Sequence, residues 1–562
     1  MFTLSNPDTP VFPADTFGWD SVYAIPFGTL NSVLEGQAPS TFDPITQIDD
    51  TTSDTFTLRN GNYGDWRIVP GGSGQIVCME IDLTGFQFER TGSSPLIYDA
   101  ANAKATVLLR LAALPQPIPT GALGNPDIEV MEFRVAPTNT DPVQSVTVTY
   151  DPGATPPDPL SQFNINDLMG ALLNRDADDF NMVFATVNLS KKTSEAGGEG
   201  WTWLLPTHTS YAVRDVDSDN GVFAVLAMTE NRQPSPIHDV SVGAIPEGQV
   251  SGFLVSERLF LEKLVLPNIG ILFHDANDNN LTANDFEITS DFKITNRNTV
   301  YIPSLELDNG KVVQADIPPR QFTVTPSGDE LIMRLEQFHY VYKSGIEVFA
   351  DFENRSTIAL EADKFTVNER SASCPRANIE KEDWLIWTEI LVPIGIGIVG
   401  AVVGAGIGKA LSGTGQVVAQ GANAAAFEGA AALAVNVPPQ AATAATGEVA
   451  LNLLARTGSE AAAGTAVNIA FKGLLPSLTY RLGAALFGAI AGATMGSLVP
   501  ILENIAKEPA SAKPKLDKFL APALEAVAWP TVEKFELSSA QLNKSFQLGI
   551  TPVLTSAQEE AA

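Results

Sequence analysis

The sequence predicts an α+β fold that is mostly antiparallel β: a long curved sheet wrapped on helices, with a Gly/Ala-rich helical insertion. Three observations carry this. Between residues 50 and 370 apolar and polar residues alternate in short runs, the pattern of half-buried antiparallel strands. Near the start, apolar residues recur three to four apart, the stripe of an amphipathic helix. After Trp384 two long uncharged segments with glycines four apart interrupt the strand texture.

The stripe lies in "GWDSVYAIPFGTLNSVL" (18–34), through Trp19, Val22, Tyr23, Phe27, Leu30 and Val33/Leu34. The spacing predicts one helix, capped by Thr16, carrying Asp20 in its first turn where the helix dipole favours a negative charge, and kinked at Pro26. Such a helix can cover one face of a curved sheet. Met1 to Pro13 holds no lysine or arginine and Asp20 interrupts any apolar run, so no cleavable signal peptide is read here.

The strand texture follows in "SVTVTY" (145–150), "MVFATVNLS" (182–190), "FEITSDFKIT" (286–295), "HYVYKSGIEVFADF" (339–352) and "STIALEADKFTV" (356–367). Clusters such as "DPGATPPDP" (151–159), "DSDNG" (217–221) and "DANDNN" (275–280) read as turns and loops between strands. "DVDSDNG" (215–221) and "DANDNN" also carry oxygen ligands at alternate positions, but lack the glycine and the final carboxylate of an EF-hand loop; Asp/Asn-rich turns explain them.

At Trp384 the composition changes. "ILVPIGIGIVGAVVGAGIG" (390–408) and "LGAALFGAIAGATMGSLVPIL" (482–502) are 19 and 21 residues without a charge. Gly400, Gly404 and Gly408, and Gly488, Gly492 and Gly496, line one face of each as helices, where another backbone can approach closely. Strand alternation returns in "WPTVEKFELSSAQLNKSFQLGI" (529–550). The domain reading is an acidic helix-and-sheet region 1–383, a Gly/Ala-rich helical insertion 384–510, and closing strands 511–562 that return to the sheet. Charge supports the division. Of the net −31, residues 384–562 hold 10 basic and 12 acidic residues, a net of −2, leaving −29 for residues 1–383.

That balance argues against nucleic acid, which is bound through cationic side chains. Two cysteines, Cys78 and Cys374, cannot make a disulfide-built scaffold. "GIGIVG" (395–400) has the dinucleotide spacing, yet the next carboxylate after Glu389 is Glu428, too far for a ribose contact. The histidines, His208, His238, His274 and His339, are scattered, and no H-E-x-x-H, G-x-S-x-G or P-loop is present. No catalytic residue, metal ligand or cofactor is assigned, and the chain is read as non-enzymatic.

The opening "TFGWDSVYAIPFGTLN" (16–31) resembles the start of the forty-seven-kilodalton accessory proteins of botulinum neurotoxin clusters, relatives of the OrfX proteins within the tubular lipid-binding (TULIP) superfamily. Thr16, Gly18, Trp19, Asp20 and Asn31 are the matching positions. The order of N-terminal helix, long sheet, helical insertion and closing strands around "AWPTVEKFEL" (528–537) is similar too. The resemblance implies a TULIP-like fold, a lipid ligand (phospholipid or fatty acyl chain), service beside a bacterial toxin or sister TULIP-like proteins, and a place in the bacterial cytoplasm or release with the toxin. Candidate lipid-contacting residues are Trp19, Phe27, Trp384, Trp387, Ile396, Val403, Leu482 and Phe487. Trp384 and Trp387 flank the first apolar segment, where an amphipathic ring suits an apolar–water boundary. The alternatives are a pore-forming component that inserts 390–502 into a membrane, and an assembly protein with a filled groove.

Overall fold

A strand whose neighbours cover both its faces needs no alternation, and one nine-residue strand among the described residues has none. Gly221–Thr229, "GVFAVLAMT", is buried at every position. The computed structural model describes residues 12–381 and 524–554, apart from 38–40, 42, 50–52, 117–127, 152–153, 191–201, 307–311, 362–363, 525 and 531. The described chain is mostly antiparallel β and divides into two compact units between Ser256 and Glu257. Closing residues up to Ser539 and from Ser545 return to the first unit, and Ala540–Lys544 lies with the second.

The first unit contains a sheet of seven described strands in the order Val532–Asn543, Ser545–Leu554, Ser251–Val255, Ser21–Pro26, Gly221–Thr229, Pro206–Asp215, Ser73–Gly74. The N-terminal stripe is therefore corrected. Residues 18–34 are not one helix: Ser21–Pro26 is a strand at the centre of this sheet, and only Phe27–Leu34 is helical. Ser21 to Pro26 runs opposite Ala227 to Val222 on one side, and Ser21 to Ala24 opposite Val255 to Gly252 on the other. The physical reason is that a strand buried on both faces shows an unbroken apolar run, which periodicity cannot separate from a buried helix. Pro26 does not kink a helix. Its extended backbone (φ −71°, ψ 155°) ends the strand, and the helix starts one residue later.

A second sheet of the same unit is built on Val77–Thr91 and Leu96–Leu109, flanked by Val143–Tyr150 on one side and by Thr55–Arg59, Ile45–Ile48 and Asn62–Ile68 on the other. Helix Pro159–Arg175 packs against Val143–Tyr150 at one edge and also against Thr55–Arg59 and Ile45–Ile48 at the other, so the sheet curls around it. Its buried side presents Ile165, Leu168, Met169, Leu172 and Leu173. The helix also completes the edge strand's hydrogen bonding, since an open edge invites pairing with another chain. Asn166 Oδ1 accepts from Val148 N at 2.9 Å, and Gln162 Nε2 donates to the Val148 carbonyl at 2.9 Å. Asn174 does both for Val143, at 3.0 and 3.2 Å. The run 151–159 ends in this helix's start signal: Asp158 accepts from the N–H groups of Leu160 and Ser161 at 3.1 Å, and Pro159 takes the first turn.

The second unit is a sheet of paired short strands feeding a long ribbon. Phe286–Ile288, Ile294–Asn296 and Phe322–Ser327 lead to Glu330–Lys343, which pairs with Ile346–Glu361, itself paired with Lys364–Lys381. "FEITSDFKIT" is a hairpin of two three-residue strands rather than one strand, because Thr289–Lys293 closes a turn. The insertion 384–510, including both glycine-spaced segments and "GIGIVG", lies outside the described residues. No helix among the described residues is long and apolar enough to cross a membrane.

Asp158→Ala should cost about 0.5–2 kcal/mol of unfolding free energy, the usual loss for a helix cap. The Ser161 hydroxyl and N–H hold the Asp158 carboxyl below its ordinary 3.8. A depressed carboxylate stabilises above its unfolded value, so the difference between parent and variant should be full above about pH 4 and shrink as pH falls below it. Denaturant melts at pH 7 and pH 3 check both; an unchanged difference at pH 3 would contradict the cap.

Candidate functional site

The five family-matching positions sit where the chain enters the central strand, and each has a structural task. Gly18 adopts φ +86°, a left-handed turn that lets Trp19 N–H donate to the Thr16 carbonyl at 3.0 Å. Trp19 is 1% exposed, with Nε1 donating to the Ile237 carbonyl at 2.7 Å and its ring 5.7 Å from that of His238. It anchors an apolar cluster with Val22, Ala24, Leu226, Met228 and Leu254. The buried Asp20 carboxylate accepts from Thr229 N and Thr229 Oγ1 at 2.9 and 3.0 Å, and from Arg232 Nη1 at 3.2 Å. Its backbone joins the same sheet: Asp20 N–H donates to Ala227 and its carbonyl accepts from Ser256. Thr16 and Asp20 do not cap or start a helix, as the stripe suggested; they pin a strand. Asn31, on the short helix, grips Ile68 in the strand Asn62–Ile68 by accepting from its N–H at 2.7 Å and donating to its carbonyl at 3.1 Å.

The structure brings two of the candidate lipid contacts, Trp19 and Phe27, into packed core. Phe27 is 3% exposed, and a Cβ on Gly221 would collide with its ring. Trp384, Trp387, Ile396, Val403, Leu482 and Phe487 lie outside the described residues. The acidic turns spend their carboxylates internally. Asp217 accepts from Asn220 and Asp219, and Asp275 from Asn279 and Asn277, bonds that hold both carboxyls below their ordinary range. The four histidines stand on separate elements, and among the described residues no group of three metal-ligating side chains converges.

A cleft of about 650 Å³ opens within the second unit, a volume suited to a small ligand. One wall is the helical segment Glu257–Leu272, which passes through a wide π-type turn at Phe260–Val265 and presents Arg258, Glu262 and Leu266, four residues apart, to the cleft. Such turns are frequent at functional sites. The other wall is the hairpin 286–296. Behind this wall the buried Phe286 ring packs with Phe273 and Phe322, its centroid 6.0 Å from each. The hairpin turn is tied by Thr289, whose N–H donates to the Lys293 carbonyl and whose hydroxyl donates to Asp291. Lys293 and Thr289 push the Asp291 carboxyl down to about 2. This turn holds Phe292 at φ +55° with 38% of the residue exposed on the cleft's rim.

The polar lining has a pattern. Glu262 is shared by Arg258 at 3.6 Å and Lys263 at 3.4 Å; Glu287 is shared by Arg297 at 3.1 Å and Arg320 at 3.5 Å. Of these, Arg258, Glu262, Glu287 and Arg297 line the cleft, so its lining is charge-balanced within a chain of net −31. None of these residues stood out in the sequence, where Arg297 and Arg320 show no spacing that ties them to Glu287.

The described chain is a mostly antiparallel β protein with a cleft in its second unit. The family described as "OrfX-like: Protein OrfX2/OrfX3/P47" matches residues 16–457, starting at Thr16, and the chain belongs to that family. It is 25% identical over 330 residues to "Protein OrfX3" of Paraclostridium bifermentans, covering 54% of this chain and 62% of the relative. It is 27% identical over 358 residues to "Protein OrfX3" of Clostridium botulinum (strain Kyoto / Type A2), covering 57% and 66%. The matches thus span just under two thirds of the relatives' own lengths. Among solved structures it is similar to that titled "Crystal structure of P47 of Clostridium botulinum E1", at 15% identity and a TM-score of 0.49, covering 95% of this chain and 98% of that one.

Trp19→Ala should destabilise the first unit by about 3–5 kcal/mol, as removal of a buried aromatic does; thermal melting equal to the parent's would show that the ring is not part of the core. Asp20→Ala removes the buried acceptor of the Thr229 N–H and hydroxyl and one of the carboxylates that Arg232 meets, Glu230 remaining as the other, and the loss should likewise reach about 3 kcal/mol. Hydrogen exchange should localise it: amides of 21–26 and 221–229 lose protection first, and uniform loss across the unit would count against a local pin.

Proposed function

We propose that this chain is a non-enzymatic lipid- or hydrophobic-ligand-binding protein that serves as an accessory to a bacterial toxin system. The observation that carries the binding reading is the second unit's cleft, where apolar Leu266, Ile288 and Phe292 stand beside charged Arg258, Glu262, Glu287 and Arg297. That pairing suits an amphiphile, whose chain gains roughly 0.8 kcal/mol per buried CH₂. Membership of the OrfX-like family supports the toxin-accessory role, with a toxin or sister family proteins as partners. The filled core around Trp19 and Phe27 favours a ligand held in the second unit over one held in the first.

Mass spectrometry of lipids extracted from the purified full chain tests the reading. The expected result is a bound amphiphile at a stoichiometry near one per chain. Purification with no lipid retained, together with no uptake of lipid from added vesicles, would overturn it. Dye release from those vesicles would instead favour insertion of a membrane-active segment.

A further inference from the structure

Away from the cleft, His339 of the second unit occupies a seam between three strands. It lies in Glu330–Lys343, which pairs with Val312–Ile317 and with Ile346–Glu361. The join to Val312–Ile317 is short: the two backbones pair at Ala315 with Tyr340 and at Asp316 with His339. Ala315 and Ile317 are buried on one face of their strand, so Asp316 points to the other, where it meets the imidazole. His339 Nδ1 stands 2.8 Å from Asp316 Oδ1, and an ionised carboxylate can only accept, so Nδ1 carries a proton. Phe349, opposite His339 on the third strand, stacks on the ring with centroids 4.7 Å apart and planes at 26°. The ring is thereby held with Nε2 shut away from solvent and without a hydrogen-bond partner, 3.6 Å from Glu347 Oε2. In the neutral imidazole that nitrogen turns a lone pair towards a carboxylate. In the imidazolium it turns an N–H towards one.

We propose that His339 is a proton-operated clasp: charged, it ties Val312–Ile317 and Ile346–Glu361 together through Asp316 and Glu347; neutral, it holds Asp316 alone. An imidazole changes charge between about pH 5 and 8. The charge-assisted bond to Asp316 and the attraction to Glu347 both belong to the charged form. The clasp's contribution is therefore present at the acid end of that range and lost as pH rises through it. Other ionisable residues stand around the seam. Asp351 lies on the same face of its strand as Glu347 and accepts from the Gln337 N–H at 2.8 Å. Tyr301 is opposite Asp316 in register, and Glu380 and Arg376 are opposite Glu347 and Asp351. Acidification thus tightens this seam, in a chain whose charge of −31 otherwise offers protons mostly to carboxylates.

Hydrogen exchange of the full chain, corrected for the intrinsic pH dependence of amide exchange, reads the clasp. Amides of 312–317 should be at least about threefold better protected at pH 5.5 than at pH 8, the scale of a charge-assisted bond replacing a neutral one. His339→Gln keeps a donor for Asp316 and cannot take up charge, so its protection should be equal at the two pH values and close to the parent's at pH 8. Glu347→Gln changes a half-exposed side chain, so it should fold as the parent does; it should shrink the acid gain and leave protection at pH 8 no lower. His274 is the other imidazole beside these strands: its backbone bridges Tyr301, and its Nδ1 meets Asp278 at 3.2 Å. His274→Gln should keep the full gain. Equal protection of the parent at both pH values would overturn the clasp, as would a gain that survives in His339→Gln or vanishes in His274→Gln. Should His339→Gln fail to fold, Glu347→Gln decides, and an undiminished gain in that variant removes the clasp's second arm.

Discussion

The first unit depends on one buried carboxylate. Asp20 lies directly before a strand that inserts between Gly221–Thr229 and Ser251–Val255, segments some 200 residues later in the chain. An antiparallel strand can slip in register, and a slip of one residue exchanges its two faces. Here both faces are apolar, so hydrophobicity alone discriminates poorly between registers. Asp20 supplies the discrimination. Its carboxylate meets Thr229 and Arg232 in one register only, and any other would bury it unpaired, at a cost of several kcal/mol. Trp19, next to it, fixes the same register from the apolar side.

Committing the N-terminus to the centre of a sheet determines what else the first unit can do. Its central strands are covered on both faces, and the second sheet curls around a helix whose apolar side is occupied. Side-chain amides at 162, 166 and 174 satisfy the edge strand that such a curl leaves open. Large aromatics that would have suited a ligand groove are packed against one another instead, Phe56 with Phe88 and Trp66 with Phe180. The second unit has shorter strands, a hairpin and an irregular helical segment, and these do not close over one another completely. The cleft lies where they meet.

Electrostatics follows the same division of labour. A large negative charge keeps the surface solvated and repels anions at long range, so an anionic ligand is favoured only where cations outnumber carboxylates locally. At the second unit's cleft Arg258 and Arg297 stand against Glu262 and Glu287, so the lining is charge-balanced instead. The OrfX-like family match begins at Thr16 and so includes the N-terminal pin; the pin and the cleft are both described from this chain's own residues.

Read alone, the sequence determined the antiparallel β class, the strand at 145–150 and the turns at 217–221 and 275–280, while Thr16, Gly18, Trp19, Asp20 and Asn31 were marked out by their resemblance to a family. The strand and turns are legible because alternation and turn chemistry are local. What those five residues do was decided only by tertiary structure. A continuous apolar run reads equally as strand or helix until its partners are known, and the partners of 21–26 come from the far side of the unit. The helix 159–175 was overlooked although Asp158 and Pro159 announce it, because its buried side is interrupted by amides whose purpose, pairing with the backbone of 143–148, exists only in the folded sheet. The cleft was decided by tertiary structure too. Glu287, Arg297 and Arg320 acquire a joint meaning only when folded strands bring both arginines within 3.5 Å of the glutamate, and no spacing along a chain records a distance that folding creates.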